Sequence, residues 1–223
     1  MRTEARSALA VTSTEILTAN AIGPQPSTLA VPATPLSINR YAMYGCLAIF
    51  GLAWDLYSKY VVFSWFGCPG RAKWTWRAGD FIEFTLHTNF NEGALWGFGQ
   101  GGAPVFAGLS VLAVVGIIYF LFFAGYARSA WLTVALGLVT AGALGNLFDR
   151  LGMHGWMHDG KPVYAVRDFL YFKFFGAFDW AIFNFADTYL VVGAIMLVIQ
   201  SFQADAQEAP ATSVAESASP PTA

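Results

Sequence analysis

The chain has 223 residues, of which 56% are apolar and only 12% charged, with a net charge of −2 and a mean hydropathy of +0.50. Soluble domains carry about 25% charged residues, so this is the composition of a membrane protein. The 12 Lys and Arg are dispersed, which argues against a nucleic-acid partner, and two cysteines, Cys46 and Cys68, make neither a disulfide framework nor a thiolate metal cluster.

Residues 1–38 are rich in Ala, Thr, Ser and Pro, lack a helical period and read as a disordered tail. No compact apolar core precedes an A-x-A site there, so a signal peptide is not expected. The membrane core is expected over 39–203. Crossing roughly 30 Å of hydrocarbon takes about 20 helical residues, and the first such run is Tyr41–Phe66. In the segment 67–102 that follows, "DFIEFTLHTNF" alternates as a strand or hairpin does. Its end, "NFNEGALWGFGQGG" (89–102), has no Lys after its glycines as a phosphate loop would. It reads instead as a flexible loop that lets backbone approach a ligand.

Two further spans, Ala103–Ala124 and Ser129–Arg150, are joined by a short turn around Gly125–Arg128. The segment 151–181 is aromatic and partly charged, and "VRDFLYFKFFGAFDW" suits an amphipathic piece lying in the membrane interface. The last span is Ile182–Phe202, and 204–223 reads as a second tail.

With four spans, the end of the first, the 67–102 segment, the end of the third, the 151–181 segment and the start of the fourth share one face. Asp55, Lys59, Asn91, Asn146, Asp149, Arg150, Asp168, Asn184 and Asp187 therefore all lie near it. Ionisable groups in apolar spans are costly and are functional candidates by default. Orientation is less direct. Arg2, Arg6, Arg40 and Arg128 lie on the side of the tails, and Arg71, Lys73, Arg77, Lys161, Arg167 and Lys173 on the other. The positive-inside count thus opposes cytoplasmic tails.

Asn184, Asp187, Thr188 and Val191 share one helix face. An acid near a helix N-terminus is favoured by the macrodipole, but that does not account for the adjacent Asn and Thr. Asn146, Asp149 and Arg150 form a second such face, at a helix end where charges can snorkel to water. Ala141, Gly142 and Gly145 suit close helix contact. Asp55 and Lys59 are an i, i+4 pair that can neutralise itself, and read as a structural tie. His154 and His158 sit in a Gly-containing loop without a third ligand at a known spacing. Serine- and zinc-hydrolase motifs are absent from the sequence. What remains is a group of carboxyls at one membrane face. Two that approach closely share a proton, so that one can activate water while the other protonates a carbonyl. Asp149, Asp159, Asp168, Asp179 and Asp187 are all available for such a pair.

The segments "WDLYSK", "NEGALWGFG", "GALGNLFDR", "VRDF" and "FNFADTYLVVG", in this order over roughly residues 54–193, resemble those of the bacterial lipoprotein signal peptidase (signal peptidase II) family. The resemblance implies an all-α membrane protein of four transmembrane helices, with a small periplasmic β-cradle and an interfacial amphipathic segment. It implies a multi-pass inner-membrane aspartic endopeptidase with its site at the periplasmic face and with no metal or organic cofactor. The catalytic pair would be Asp168 and Asp187. Asn91, Gly93, Asn146, Asp149, Arg150 and Asn184 would support the pair and the substrate, and Asp55 and Lys59 the structure. Substrates would be prolipoproteins carrying diacylglyceryl-Cys, cut before that Cys, in contact with membrane lipid, and globomycin would inhibit.

The sequence departs from the family in the long link 150–167, where 151–165 looks like an insertion, and in Glu92, Leu95 and Trp96. The alternative is a proton- or ion-coupled transporter. It is opposed by a second span without charge and by the missing inverted repeat. A lipid acyltransferase would want a His or Cys inside the core.

Overall fold

The helix Ala130–Arg150 (α3) is the axis of the molecule, because its small residues let its neighbours approach closely. Ala135, Ala141 and Ala143 are buried along it. A Cβ on Gly142 would strike the Ala186 carbonyl oxygen, and one on Gly145 would strike the Asp55 carboxylate. These contacts bring both Ile38–Phe66 (α1) and Phe185–Ser217 (α4) against α3. The computed structural model describes residues 38–93 and 101–217, with side chains to 203. Ala103–Ile118 (α2) continues through a π-helical turn, Tyr119–Phe123, and a 3-10 turn, Tyr126–Arg128, leads into α3. Ser129 caps α3, its hydroxyl accepting from the Leu132 amide.

Four helices are long and apolar enough to cross a membrane: Ile38–Phe66, Ala103–Phe123, Ala130–Arg150 and Phe185–Gln203. Their bounds fall within a few residues of those read from the sequence. The backbone of α4 stays helical to Ser217, so residues 204–217, read above as the start of a tail, continue the helix. The expected tail at 1–37 and the loop residues 94–100 lie outside the described residues.

The all-α expectation is corrected. The two long connections fold together into a five-stranded sheet of order β1-β3-β6-β7, with β2 also on β3. Its strands are Gly70–Arg71 (β1), Trp76–Ala78 (β2), Ile82–Asn91 (β3), Val166–Phe174 (β6) and Phe178–Asp179 (β7). Met157–His158 (β4) and Lys161–Pro162 (β5) make a separate hairpin within the 151–165 stretch. The segment expected to lie amphipathic in the interface is thus a strand, β6, paired antiparallel with β3. Its first four residues are buried, because Phe169 packs on Val62 and Phe63 of α1, with Phe90, Trp156 and Phe185 around them. A strand covered on both faces shows no inside–outside alternation.

Candidate active site

The start of α4 makes its own chemistry. The Asn184 side-chain oxygen accepts from the Asp187 amide at 3.0 Å, and Asp187 Oδ2 accepts from the Asn184 amide at 3.2 Å. This reciprocal exchange is a capping box. It leaves Asn184 Nδ2 and Asp187 Oδ1 free to meet other elements. Asn184 Nδ2 donates to Asp168 Oδ1 at 2.6 Å and to Asn146 Oδ1 at 3.2 Å, and Asn146 Nδ2 donates to Asp187 Oδ1 at 2.7 Å. One amide side chain therefore ties the carboxyl of β6 to the helix that carries the other carboxyl.

Asp168 is completed by Asn91, whose Nδ2 donates to Asp168 Oδ2 at 3.1 Å. A bulge is the cause. Leu86 pairs with Leu170, whereas Asn89 pairs with Asp168, a register shift between Leu86 and Asn89. One residue of shift flips every later side chain to the other face, and here it turns Asn91 toward Asp168. Asn91 also fixes the loop, accepting from the Gly93 amide at 3.0 Å, and Arg150 Nη2 donates to the Gly93 carbonyl at 3.0 Å. The Arg150 guanidinium lies 5.1 Å from the centre of the Phe106 ring of α2.

Asp168 is 1% exposed. Burial, and then the negative charge of Asp187, hold its carboxyl well above the ordinary carboxylate range. The other acids that the sequence left available differ. Asp159 and Asp179 have exposed side chains. Asp149 is fully buried but already engaged: Oδ1 accepts from Arg167 Nε at 3.0 Å and Nη2 at 2.8 Å, and Oδ2 from the Arg167 amide at 3.0 Å. Lys59 Nζ lies 3.1 Å from Asp149 Oδ2 and 2.7 Å from Asp55 Oδ2. Asp55 Oδ1 in turn accepts from the Ala186 amide at 2.9 Å. This buried ionic chain links α1, α3, α4 and β6 directly behind the two carboxyls.

Sequence reasoning missed Arg167 as the partner of Asp149. A basic residue beside an acid in a strand reads as a solvated pair unless the strand is known to be buried on both faces. His154 and His158 do not converge. His154 Nδ1 accepts from the Trp156 amide at 3.0 Å, and burial holds its imidazole below the ordinary range. His158 is exposed beside Asp159. Among the described residues no group of three His, Cys, Asp or Glu side chains is arranged to hold a metal.

A family profile described as Signal peptidase (SPase) II matches residues 47–203. The chain belongs to the signal peptidase II family. It is 44% identical over 182 residues to the lipoprotein signal peptidase of Rhodopirellula baltica, covering 80% of each chain. It is 30% identical over 158 residues to the lipoprotein signal peptidase of Staphylococcus aureus, covering 69% of this chain and 83% of that one. A solved bacterial membrane enzyme superimposes with a TM-score of 0.60 at 27% identity, over 75% of this chain and 92% of the other. The peptidase is accordingly a multi-pass membrane protein, and the transporter alternative is not favoured.

Proposed function

We propose that this signal peptidase removes signal peptides from prolipoproteins as an aspartic endopeptidase, cutting before the diacylglyceryl-Cys, with Asp168 and Asp187 as the catalytic pair. The observation that carries the reading is the single Asn184 amide that bonds Asp168 while capping the helix turn of Asp187. In the reaction, Asp187 takes a proton from water as the water oxygen attacks the scissile carbonyl carbon. Asp168 gives its proton to the carbonyl oxygen, forming a gem-diol. Collapse breaks the C–N bond, Asp187 passes its proton to the leaving amine, and Asp168 recovers one from the diol. Atoms and charges balance with two carboxyls and one water.

The assignment of roles follows from the environments. Asp168 is buried and, with Asp187 beside it, its carboxyl titrates well above the ordinary range, which makes it the member suited to keep the proton. Asp187 sits in the first turn of α4 and accepts two N–H groups, which favours negative charge. Asn91, Gly93, Asn146, Arg150 and Asn184 keep the pair and the adjoining loop in position, and Asp149, Asp55 and Lys59 support them from behind. An apolar cavity of about 380 Å³, walled by Phe172, Phe174, Trp180, Phe183, Val191 and Val192, reaches Asp187 from the exposed side of α4. It gives an acyl chain in the bilayer a path to the residue next to the scissile bond. We place the site at the periplasmic face of the inner membrane, with both termini cytoplasmic and globomycin as an expected inhibitor.

Asp168→Asn and Asp187→Asn are each expected to lower turnover of a lipidated precursor by ~10²–10⁴-fold or more, the usual contribution of a positioned acid or base, without loss of fold. Wild-type turnover in either folded variant overturns the assignment. A reporter fused after Ala223 is expected in the cytoplasm.

A further inference from the structure

Lys59 is wholly buried and takes no part in the reaction just described. Its ammonium can only donate; it lies at ion-pair distance from Asp55 Oδ2 (2.7 Å) and Asp149 Oδ2 (3.1 Å) and donates a hydrogen bond to Asn146 Oδ1 at 3.2 Å. Charge balance accounts for the first two. Two carboxylates, Asp55 and Asp149, face two cations, Lys59 and Arg167. The third contact neutralises nothing, and it falls on the amide that addresses Asp187.

We infer that Lys59 is a positioning residue of the carboxyl pair, one that locks the Asn146 amide with its N–H toward Asp187 and so decides which carboxyl carries the shared proton. The inference rests on the catalytic reading of Asp168 and Asp187. An Asn side chain has two nearly isosteric orientations, and its neighbours select one. Asn146 Oδ1 accepts from Lys59 Nζ and from Asn184 Nδ2, while Nδ2 donates to Asp187 Oδ1. Flipping the amide would aim its N–H groups at the ammonium, which can only donate. Lys59 therefore opposes the flip, as does Asn184 Nδ2, the other donor to the same oxygen. With the N–H held on it, Asp187 is the ionised member and Asp168 keeps the proton. Without Lys59 only the Asn184 Nδ2 bond opposes the flip, and an Asn146 oxygen turned to Asp187 needs a protonated carboxyl opposite. The proton then moves to the member meant to act as base.

The charged and titratable groups around this locus are Asp55 on α1, Asp149 and Arg150 on α3, Arg167 and Asp168 on β6, Asp187 on α4, and His154 in the loop after α3. A test must leave their balance intact. Replacing Lys59 alone leaves Asp55 buried without its cation, so the substitution is paired. Asp55→Asn with Lys59→Met removes one charge of each sign and the donor to Asn146, and leaves the Asp149–Arg167 clasp in place. Asp55→Asn with Lys59→Gln has the same charge but keeps an N–H donor. Cleavage of a diacylglyceryl peptide is measured across pH in detergent micelles, with folding followed by thermal melting.

The methionine pair is expected to lose about 10²-fold in kcat, the order of loss that follows from small misplacements at a reacting centre. KM should change little, and the pH profile of kcat should shift. The glutamine pair should recover most of the rate and the wild-type profile. A folded methionine pair with wild-type kcat and pH profile overturns the inference, as does an equal loss in both pairs. If the methionine pair does not fold, the charge-balanced glutamine pair is read alone. Retained kcat with an unshifted profile supports the inference even if the melting temperature falls, and collapse of kcat in a folded protein overturns it. Activity retained in Asp168→Asn or Asp187→Asn would instead remove the catalytic reading itself.

Discussion

At the scale of single residues, the two kinds of buried acid behave differently because their partners differ. Asp149 receives every N–H that Arg167 offers from Nε, Nη2 and the backbone, and the Lys59 ammonium as well. Truncating one member of a buried ionic network leaves the others uncompensated, at a cost of about 3–5 kcal/mol. Asp149→Ala is therefore expected to lower the melting temperature in detergent steeply, and a change of less than a degree or so would refute its role as a clasp. Asp168 accepts from the side-chain amides of Asn91 and Asn184 and has the charge of Asp187 beside it. Its carboxyl titrates higher folded than unfolded. The stabilisation this provides is complete below the ordinary carboxylate value and is lost as pH rises through the raised, folded value. The melting temperature should fall over that window, and Asp168→Asn should flatten this part of the curve. The catalytic rate should fail on the same alkaline limb, because deprotonated Asp168 has no proton to give to the carbonyl.

At the scale of elements, the helices were legible because hydrocarbon demands long apolar runs, and the small residues of α3 announced close packing. The strand β6 was not. "VRDFLYFKF" mixes charge and aromatic rings as an interfacial segment does, and its partner β3 lies far away in sequence, so nothing local marks the pairing. The bulge in β3 was equally hidden, although Asn91 reaches Asp168 only because of it. The seat at Gly145 carried half a signal: its smallness was visible, but the Asp55 carboxylate that needs the space comes from another helix. Gly145→Ala and Gly142→Ala are expected to destabilise by about 1–3 kcal/mol through overpacking, the first also lowering activity by moving Asp55 off the Ala186 amide. Gly108→Ala in α2, where nothing lies within 4 Å of the added carbon, should be neutral by melting temperature and rate. Loss of stability there equal to that at Gly142 would contradict the packing argument.

At the scale of the whole molecule, most of the basic residues that oppose cytoplasmic tails are engaged in the sheet. Arg77 and Arg71 lie 3.2 and 3.9 Å from Glu83, Lys173 lies 3.5 Å from Asp179, and Arg167 is enclosed with Asp149. The orientation rule counts Lys and Arg near span ends whether or not nearby acids pair with them, so the count still opposes cytoplasmic tails. Four of the six cations on that face are bound to acids of the same folded unit, leaving Lys73 and Lys161 as the remaining two. The carboxyl pair, by contrast, was legible as residues but not as geometry. Motif order named Asp168 and Asp187, yet only the fold explains why Asp149, equally buried and closer in sequence to the third span's polar face, is held apart for another task.

The bonds that begin α4 are also bonds of the proposed reaction centre. Any guest that draws the Asn184 side-chain N–H onto its own carbonyl must take it from Asp168 or Asn146, so occupancy pulls on the same side chain whose oxygen closes that first turn. Hydrogen–deuterium exchange at the Asp187 amide should quicken while an inhibitor is bound if the cap is surrendered, and slow if the visitor tightens it. A membrane helix would then report, by its own fraying, whether the enzyme is loaded.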